Sequence, residues 1–213
     1  MTSADPALHL LGHPLIQHKL SVMRAAATPT GEFRRLMREI ATLMAYELTR
    51  DLPMEETEIE TPLAFTRVPM LTGKKLCLVS VLRAGHGLLD GMLDLLPSAR
   101  VGHIGLYREP ATRVPVEYYL KLPEDLADRD AIVIDPLLAT GNSMAAAVQR
   151  LIDYHARSIK VAVLIAAPEG LATFRLAHPD VPVFACAVDA GLDTNGFILP
   201  GLGDAGDRLF GTR

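Results

Sequence analysis

Three apolar runs constrain this chain more than anything else in it: "KLCLVSVL" at 75–82, "DAIVID" at 130–135 and "IKVAVLIAA" at 159–167. Each is rich in Val, Ile and Leu with little polar alternation, which is how a strand covered on both faces reads. "ARVGHIGLYRE" at 99–109 and "VPVFACAVD" at 181–189 add two more strands, with Pro182 early enough in the second to be tolerated. Between them "RAGHGLLDGMLDLLP" reads as a loop entering a helix, and "NSMAAAVQRLIDYHA" as a helix. Strand and helix alternate from about residue 75 to about residue 190, which predicts an α/β fold with a mostly parallel central sheet flanked by helices.

The remaining segments attach to that frame. Over 31–50, Phe33, Leu36, Met37, Ile40, Leu43, Met44 and Leu48 recur at three- and four-residue spacing, the mark of an amphipathic helix. Thr30 is a candidate cap, and Pro53 restricts Leu52 and ends the helix. Residues 1–60 read as an N-terminal helical extension and 107–123 as a β-rich arm, which either covers a site or contacts another subunit. The end of the chain is a glycine-rich loop anchored by Phe197, Ile198, Leu199, Leu202, Leu209 and Phe210. No linker divides the 213 residues, so one domain spanning 1–213 is expected.

Bulk properties exclude several classes. The net charge of -4 disfavours a nucleic-acid surface, and no apolar run approaches the length of a membrane span. No basic region followed by an apolar run marks a signal peptide, so a cytoplasmic protein is expected. The two cysteines, Cys77 and Cys186, lie far apart in apolar runs and read as core residues. His9, His13 and His18 lack metal-ligand spacing, and Met23, Met37 and Met44 read as core packing.

The chemistry is concentrated in "AIVIDPLLATGNSMAAAV" at 131–148. Ligands of open α/β sheets bind beyond the carboxyl ends of strands, and Asp135 stands at such an end. Ala139, Thr140, Gly141, Asn142 and Ser143 then lead into a helix, whose N-terminus favours phosphate. Gly141 lacks the Cβ that blocks close approach, and Thr140 and Ser143 add hydroxyl donors. Asp135 repels phosphate and suits sugar hydroxyls or magnesium. The loop has neither the lysine of G-x-x-x-x-G-K-[ST] nor the glycines of G-x-G-x-x-G. The plainer alternative is that Thr140 or Ser143 caps the helix and Asp135 merely ends the strand.

The run "AIVIDPLLATGNS" resembles the thirteen-residue signature of the type I phosphoribosyltransferases. The wider chain resembles the uracil phosphoribosyltransferase family through "HPLIQHKL", "EFRRLMREI", "AYELTRDLP", "IETPL", "LRAG", "DGMLDLLPSARVGHIGLYRE", "PVEYYLKLP", "AAPEG" and "ILPGLGDAGDRLFGTR". The last piece is the most specific, because the shorter signature serves enzymes for several bases. The resemblance implies pyrimidine salvage: phosphoribosyl transfer from 5-phosphoribosyl 1-diphosphate to uracil, giving UMP and pyrophosphate. It implies donor binding by Arg83, Arg108, Asp204 and the run Asp135, Pro136, Leu137, Leu138, Ala139, Thr140, Gly141, Asn142 and Ser143. Phe197, Ile198, Gly203, Asp204 and Ala205 are the implied uracil contacts, and Asp135, Arg83 and Asp204 the implied catalytic set. Magnesium is implied as cofactor, held mainly by substrate, with Asp135 and Asp204 reaching it through water. A homodimer or higher homo-oligomer is implied, with GTP activating some members.

On that reading pyrophosphate leaves the anomeric carbon ahead of attack by a ring nitrogen. Arg83 and Arg108, each ending a strand, present planar forks suited to phosphate oxygens. Backbone groups of the C-terminal loop match the edge of uracil and mispair with cytosine. Asp207 and Arg208 read as a pair bracing that loop. The chain departs from the family at Ser80 and Val81, where proline precedes "ILRAG", and at His86, which reads as a helix-start residue. It departs also at Leu137 and Asn142 within "LLATGNS", and at Phe197 in place of tyrosine. Two alternatives stay open: a phosphoribosyltransferase for another nucleobase, and a non-catalytic nucleotide-sensing regulator of the same fold.

Overall fold

The central strand β4 explains the rest of the architecture. In the computed structural model, which describes residue 5 and residues 7–73, 76–109 and 115–212 with only the backbone of Arg108, the elements run as follows. A short strand β1 (Leu8–Leu10) precedes helices α1 (Pro14–Arg24) and α2 (Thr30–Leu48). A hairpin of β2 (Met54–Glu60) and β3 (Phe65–Leu71) follows, then β4 (Leu76–Leu82), α3 (His86–Leu95), β5 (Arg100–Arg108) and β6 (Pro115–Lys121). Next come β7 (Asp130–Ile134), β8 (Leu137–Leu138), α4 (Asn142–Asp153), β9 (Ser158–Ala166) and α5 (Pro168–Ala177). The chain closes with β10 (Val183–Val188), β11 (Gly191–Leu192), β12 (Ile198–Leu199) and α6 (Ala205–Phe210).

The main sheet has the order β1-β10-β9-β7-β4-β5-β6, with β8 continuing the line of β7 along β9. Every pair is parallel except β5 with β6. Along β4, Leu76 and Leu78 join one core, while Cys77, Val79 and Val81 join the other. This period of two places apolar side chains on both faces, so the strand needs helices on both. The first core takes Ile16, Leu20, Phe33, Met37, Ile40 and Met44 from α1 and α2. The second takes Met144, Val148 and Leu151 from α4 and Phe174 from α5. Phe33 is fully buried, so truncating it to alanine costs about 3–5 kcal/mol.

Several expectations need correction. The stretch 1–60 is not a purely helical extension: β1 pairs with β10 at the sheet edge, and Met54–Glu60 is a strand of an exposed hairpin. Neither was legible, because β1 is three residues long and the hairpin strands have no buried face. Thr30 is the first helical residue of α2, not its cap; Pro29 holds the cap position and makes no side-chain bond. The helix stops at Leu48, ahead of Pro53, where the Thr49 hydroxyl donates to the Ala45 carbonyl at 2.8 Å. Of the arm at 107–123, residues 115–121 form β6, the antiparallel edge of the main sheet, and 110–114 lie outside the described residues.

Candidate active site

The sheet opens above β4 and β7. From β4 the chain passes through α3 to β5 on one side; from β7 it passes through α4 to β9 on the other. Diverging connections leave a crevice at such a switch point. A cavity of about 140 Å³ lies there, lined by Arg83 and Ala84 from the loop after β4, by Asp135, Ala139 and Gly141 from the segment between β7 and α4, and by Ser143 in the first turn of α4. Arg83 and the 135–143 segment, far apart in sequence, thus line one cavity.

Gly85 lets the first loop approach. A Cβ there would fall 2.3 Å from the Ile134 carbonyl oxygen and 2.7 Å from that of Val81. The peptide Leu82-Arg83 just before it is cis. Arg83 is over half exposed, with its guanidinium carbon 5.5 Å from the Phe210 ring centroid and Nη2 3.9 Å from Asp207 Oδ1. An exposed pair at that separation is worth about 0–1 kcal/mol, which leaves the cation available to an anionic ligand. Arg108 ends β5, and its side chain lies outside the described residues.

The second loop is more structured than its sequence suggested. The Asp135 N–H donates to Ala162 at 3.2 Å, and the Pro136 carbonyl accepts from Leu164 at 2.9 Å and Ile165 at 3.1 Å. Leu137 and Leu138 form β8, with the Leu138 side chain in the core. Pro136 and Leu138 therefore hold the loop on the sheet, and neither offers a ligand a polar side chain. Gly141 is the N-cap of α4 with φ +83 and makes no side-chain cap bond. The capping alternative for Thr140 and Ser143 fails accordingly, and the first turn of α4 faces the crevice without an internal acceptor from either hydroxyl. Gly141 has a reason beyond the one anticipated. Its Cβ would fall 2.4 Å from the Gly170 carbonyl oxygen, so close packing of α5 also requires glycine there.

The C-terminal loop builds a second cavity of about 580 Å³, lined by Arg24, Phe197, Pro200, Gly203, Asp204 and Asp207 among others. Asp193 Oδ1 accepts the N–H groups of Asn195 and Phe197, both at 2.8 Å, and the Phe197 ring is left nearly half exposed. Ile198 and Ala205 turn their side chains into the core, so only their backbone is free to contact a base. Asp204 Oδ1 caps α6 by accepting the Asp207 N–H at 2.9 Å. Gly203 takes φ +78, a conformation that favours glycine. The expected pairing of Asp207 with Arg208 is replaced by another brace. Arg208 donates to the Leu202 carbonyl at 2.8 Å and the Ala25 carbonyl at 2.7 Å, stacks 4.5 Å from the Phe33 ring, and has its pKa lowered by burial.

A wall residue of the smaller cavity, Arg83, approaches a wall residue of the larger, Asp207. Thr140 stands outside the smaller lining, but its Cγ2 is 3.8 Å from the Cβ position of Gly196, which brings the phosphate-loop candidate to the turn before Phe197. His86 is the first residue of α3, as read, with its ring centroid 6.2 Å from that of His103. The cysteines are core residues, their thiols pushed up by burial to about 11 for Cys77 and about 12 for Cys186. Among the described residues, no helix is long and apolar enough to cross a membrane, and no cluster of His, Cys, Asp and Glu is arranged to hold a metal. Residue-by-residue reading missed Gly170, Glu169 and Arg24. The "PEG" of α5 supplies the first two: Gly170 packs on the loop at Ala139, and Glu169 Oε1 accepts the Leu192 N–H at 3.2 Å.

Comparison with known proteins now adds to this geometry. A family model of uracil phosphoribosyltransferase matches residues 10–212. A protein named uracil phosphoribosyltransferase from Acidovorax sp. (strain JS42) is 59% identical over 206 residues, covering 97% of this chain and 99% of its own. One of the same name from Legionella pneumophila (strain Lens) is 60% identical over 204 residues, covering 96% and 95%. The solved AQ2163 protein from Aquifex aeolicus superposes with a TM-score of 0.90 at 35% identity, covering 95% of this chain and 97% of that one. Adenine phosphoribosyl transferase from Trypanosoma brucei superposes at 0.60 and 15% identity over 90% and 87%, a likeness of fold.

Proposed function

Since the chain belongs to the uracil phosphoribosyltransferase family and transfers the phosphoribosyl group of 5-phosphoribosyl 1-diphosphate to uracil, giving UMP and pyrophosphate, we propose that the crevice above β4 and β7 holds the donor and the C-terminal loop holds the base. The observation that carries this reading is the approach of one wall residue of each cavity, Arg83 Nη2 lying 3.9 Å from Asp207 Oδ1. The 5'-phosphate sits on the first turn of α4 with Thr140 and Ser143 as hydroxyl donors. There it is remote from the reacting bond, and its binding energy positions the anomeric carbon. Arg83 grips the pyrophosphate, a fork on two oxygens. Asp135 accepts from the ribose hydroxyls. Uracil lies against Phe197, with its polar edge on the backbone of Ile198, Gly203 and Ala205. Asp204 is fixed by its cap and holds the base loop in place.

Magnesium fits this donor set. Asp135 puts hard carboxylate oxygens on the cavity wall, from which they would reach the ion through water while phosphate oxygens hold it. When bound, it neutralises charge developing on pyrophosphate. Assembly belongs to the same reading. A two-stranded hairpin is marginal alone; Leu63, 97% exposed, lies in its turn, and Phe65, 69% exposed, opens β3. A second copy of this chain covers them.

The test is product formation from 5-phosphoribosyl 1-diphosphate and magnesium with uracil, cytosine, orotate, guanine or hypoxanthine, with and without GTP, in wild type and Arg83→Ala. Uracil-specific UMP formation that Arg83→Ala cuts at least about tenfold supports the assignment. Turnover of another base places the error in the pocket at Phe197. An unaffected Arg83→Ala removes the pyrophosphate role.

A further inference from the structure

A residue outside both loops controls the geometry of the second. Arg24 closes α1, and its guanidinium forks onto Asp189, Nη1 to Oδ2 at 2.6 Å and Nη2 to Oδ1 at 2.7 Å. The same Nη1 donates to the Gly201 carbonyl at 2.7 Å, and Asp189 Oδ2 accepts the Gly201 N–H at 2.9 Å. One ion pair thus holds both hydrogen-bonding groups of a single residue. The pair is anchored at each end. The Asp189 N–H donates to the Ala166 carbonyl of β9 at 2.9 Å, and Met23, beside Arg24, is fully buried. Asp189 is 7% exposed and Arg24 23% exposed, so water screens the pair little.

Gly201 is where the loop turns. It takes φ +59, and a Cβ there would fall 2.1 Å from the Ile198 carbonyl oxygen. It separates Ile198 and Pro200 from Gly203 and Asp204, and Arg24 also lines the cavity these residues surround. A polar pocket that rejects a near-isostere needs its donors and acceptors held within about 0.5 Å. A buried pair adds little net stability against an apolar substitute, but it fixes one arrangement.

We propose that Arg24, acting through Asp189 on Gly201, is a positioning residue that sets uracil affinity and the discrimination of uracil from cytosine. The proposal rests on the C-terminal loop being the base site. Arg24 does not touch the donor crevice, so its loss moves the base terms and spares the donor terms.

The experiment compares Arg24→Ala, Arg24→Lys and Gly203→Ala with wild type, reading KM for uracil, KM for donor, the uracil-to-cytosine ratio of kcat/KM, and the melting temperature. Loss of the charged hydrogen bonds in Arg24→Ala raises uracil KM by about tenfold or more. Donor KM stays within about twofold, because Arg24 is not among the residues that line the donor crevice and its hydrogen-bond partners Asp189 and Gly201 lie outside it. Lysine keeps the cation without the fork, so Arg24→Lys falls between wild type and alanine. If the alanine variant does not fold, the lysine variant decides on the same split. Uracil KM unchanged in the Arg24 variants but raised in Gly203→Ala overturns the brace and leaves the base site standing. Uracil KM unchanged in all three overturns the base-site reading and this proposal with it. A parallel rise in both KM values with a falling melting temperature, and no recovery in Arg24→Lys, reduces Arg24 to a structural residue and overturns the proposal.

Discussion

Gly141 and Gly170 interlock. A Cβ on Gly141 would fall 2.4 Å from the Gly170 carbonyl oxygen, and one on Gly170 would fall 2.3 Å from the Ala139 carbonyl oxygen. The phosphate-loop candidate is therefore shaped from behind by α5. Gly170→Ala pushes a methyl against the backbone of Leu138 and Ala139, which costs about 1–3 kcal/mol of overpacking and displaces the loop there. Donor KM rises and uracil KM moves less. Steady-state kinetics with each substrate varied, together with a urea melt, checks both. A destabilised enzyme with unchanged donor KM removes the loop from donor binding.

Within the loop, Thr140 is expected to serve donor binding and Asp135 turnover. Thr140→Ala removes one hydroxyl donor to a charged phosphate, worth about 1.5–3 kcal/mol, or roughly a tenfold to hundredfold rise in donor KM. Asp135→Asn keeps the size of the side chain and removes its charge at the reacting end, so kcat falls and donor KM changes little. Wild-type parameters in either variant sink the corresponding role.

The frame was legible where burial is two-sided. The runs at β4, β7 and β9 could bury that many branched residues only as inner strands, and the sheet places them side by side. The phosphate-loop candidate was legible because Asp135, Thr140, Gly141 and Ser143 are polar or small residues in an apolar setting. The hairpin was not, since exposed strands carry no periodic signal. The roles of Gly170 and Arg24 were hidden too. Each acts across more than thirty positions, Gly170 at Ala139 and Arg24 at Gly201, and contacts of that span leave no local pattern. Ile198 and Ala205 show the reverse limit: the resemblance marks them as base contacts, but their side chains serve the core.

The pairing of His86 with His103 is open to titration. The pKa of His103 is lowered first by burial and second by the charge of His86. His86→Leu removes the second cause only. The His103 imidazole then titrates higher than in wild type and stays below its ordinary value. A folded pKa below the unfolded one gives stability that is complete above the unfolded pKa and lost as pH falls through the folded one. The leucine variant therefore loses less stability on acidification across that window. NMR titration of the His103 ring, with melts across the same pH range, reads both. An unmoved His103 titration separates the two rings electrostatically.

The hairpin gives the last prediction. Its strands expose Met54, Phe65 and Met70 as well as Leu63 at the turn, and neither face is covered within the chain among the described residues. A hairpin that exposes these apolar side chains is held either by a partner or by nothing, because two strands bury too little by themselves. If a second copy covers it, truncating two anchors weakens assembly far more than it weakens the fold. Leu63→Ser with Phe65→Ser removes about 1–2 kcal/mol per anchor, so the dissociation constant rises by about thirtyfold to a thousandfold. The main-sheet cores do not include either residue, so the melt of the dissociated chain keeps its cooperativity. Sedimentation equilibrium over a range of concentrations measures the change. A wild-type protein that stays monomeric throughout, or a double variant that assembles as tightly as wild type, takes the hairpin out of the interface.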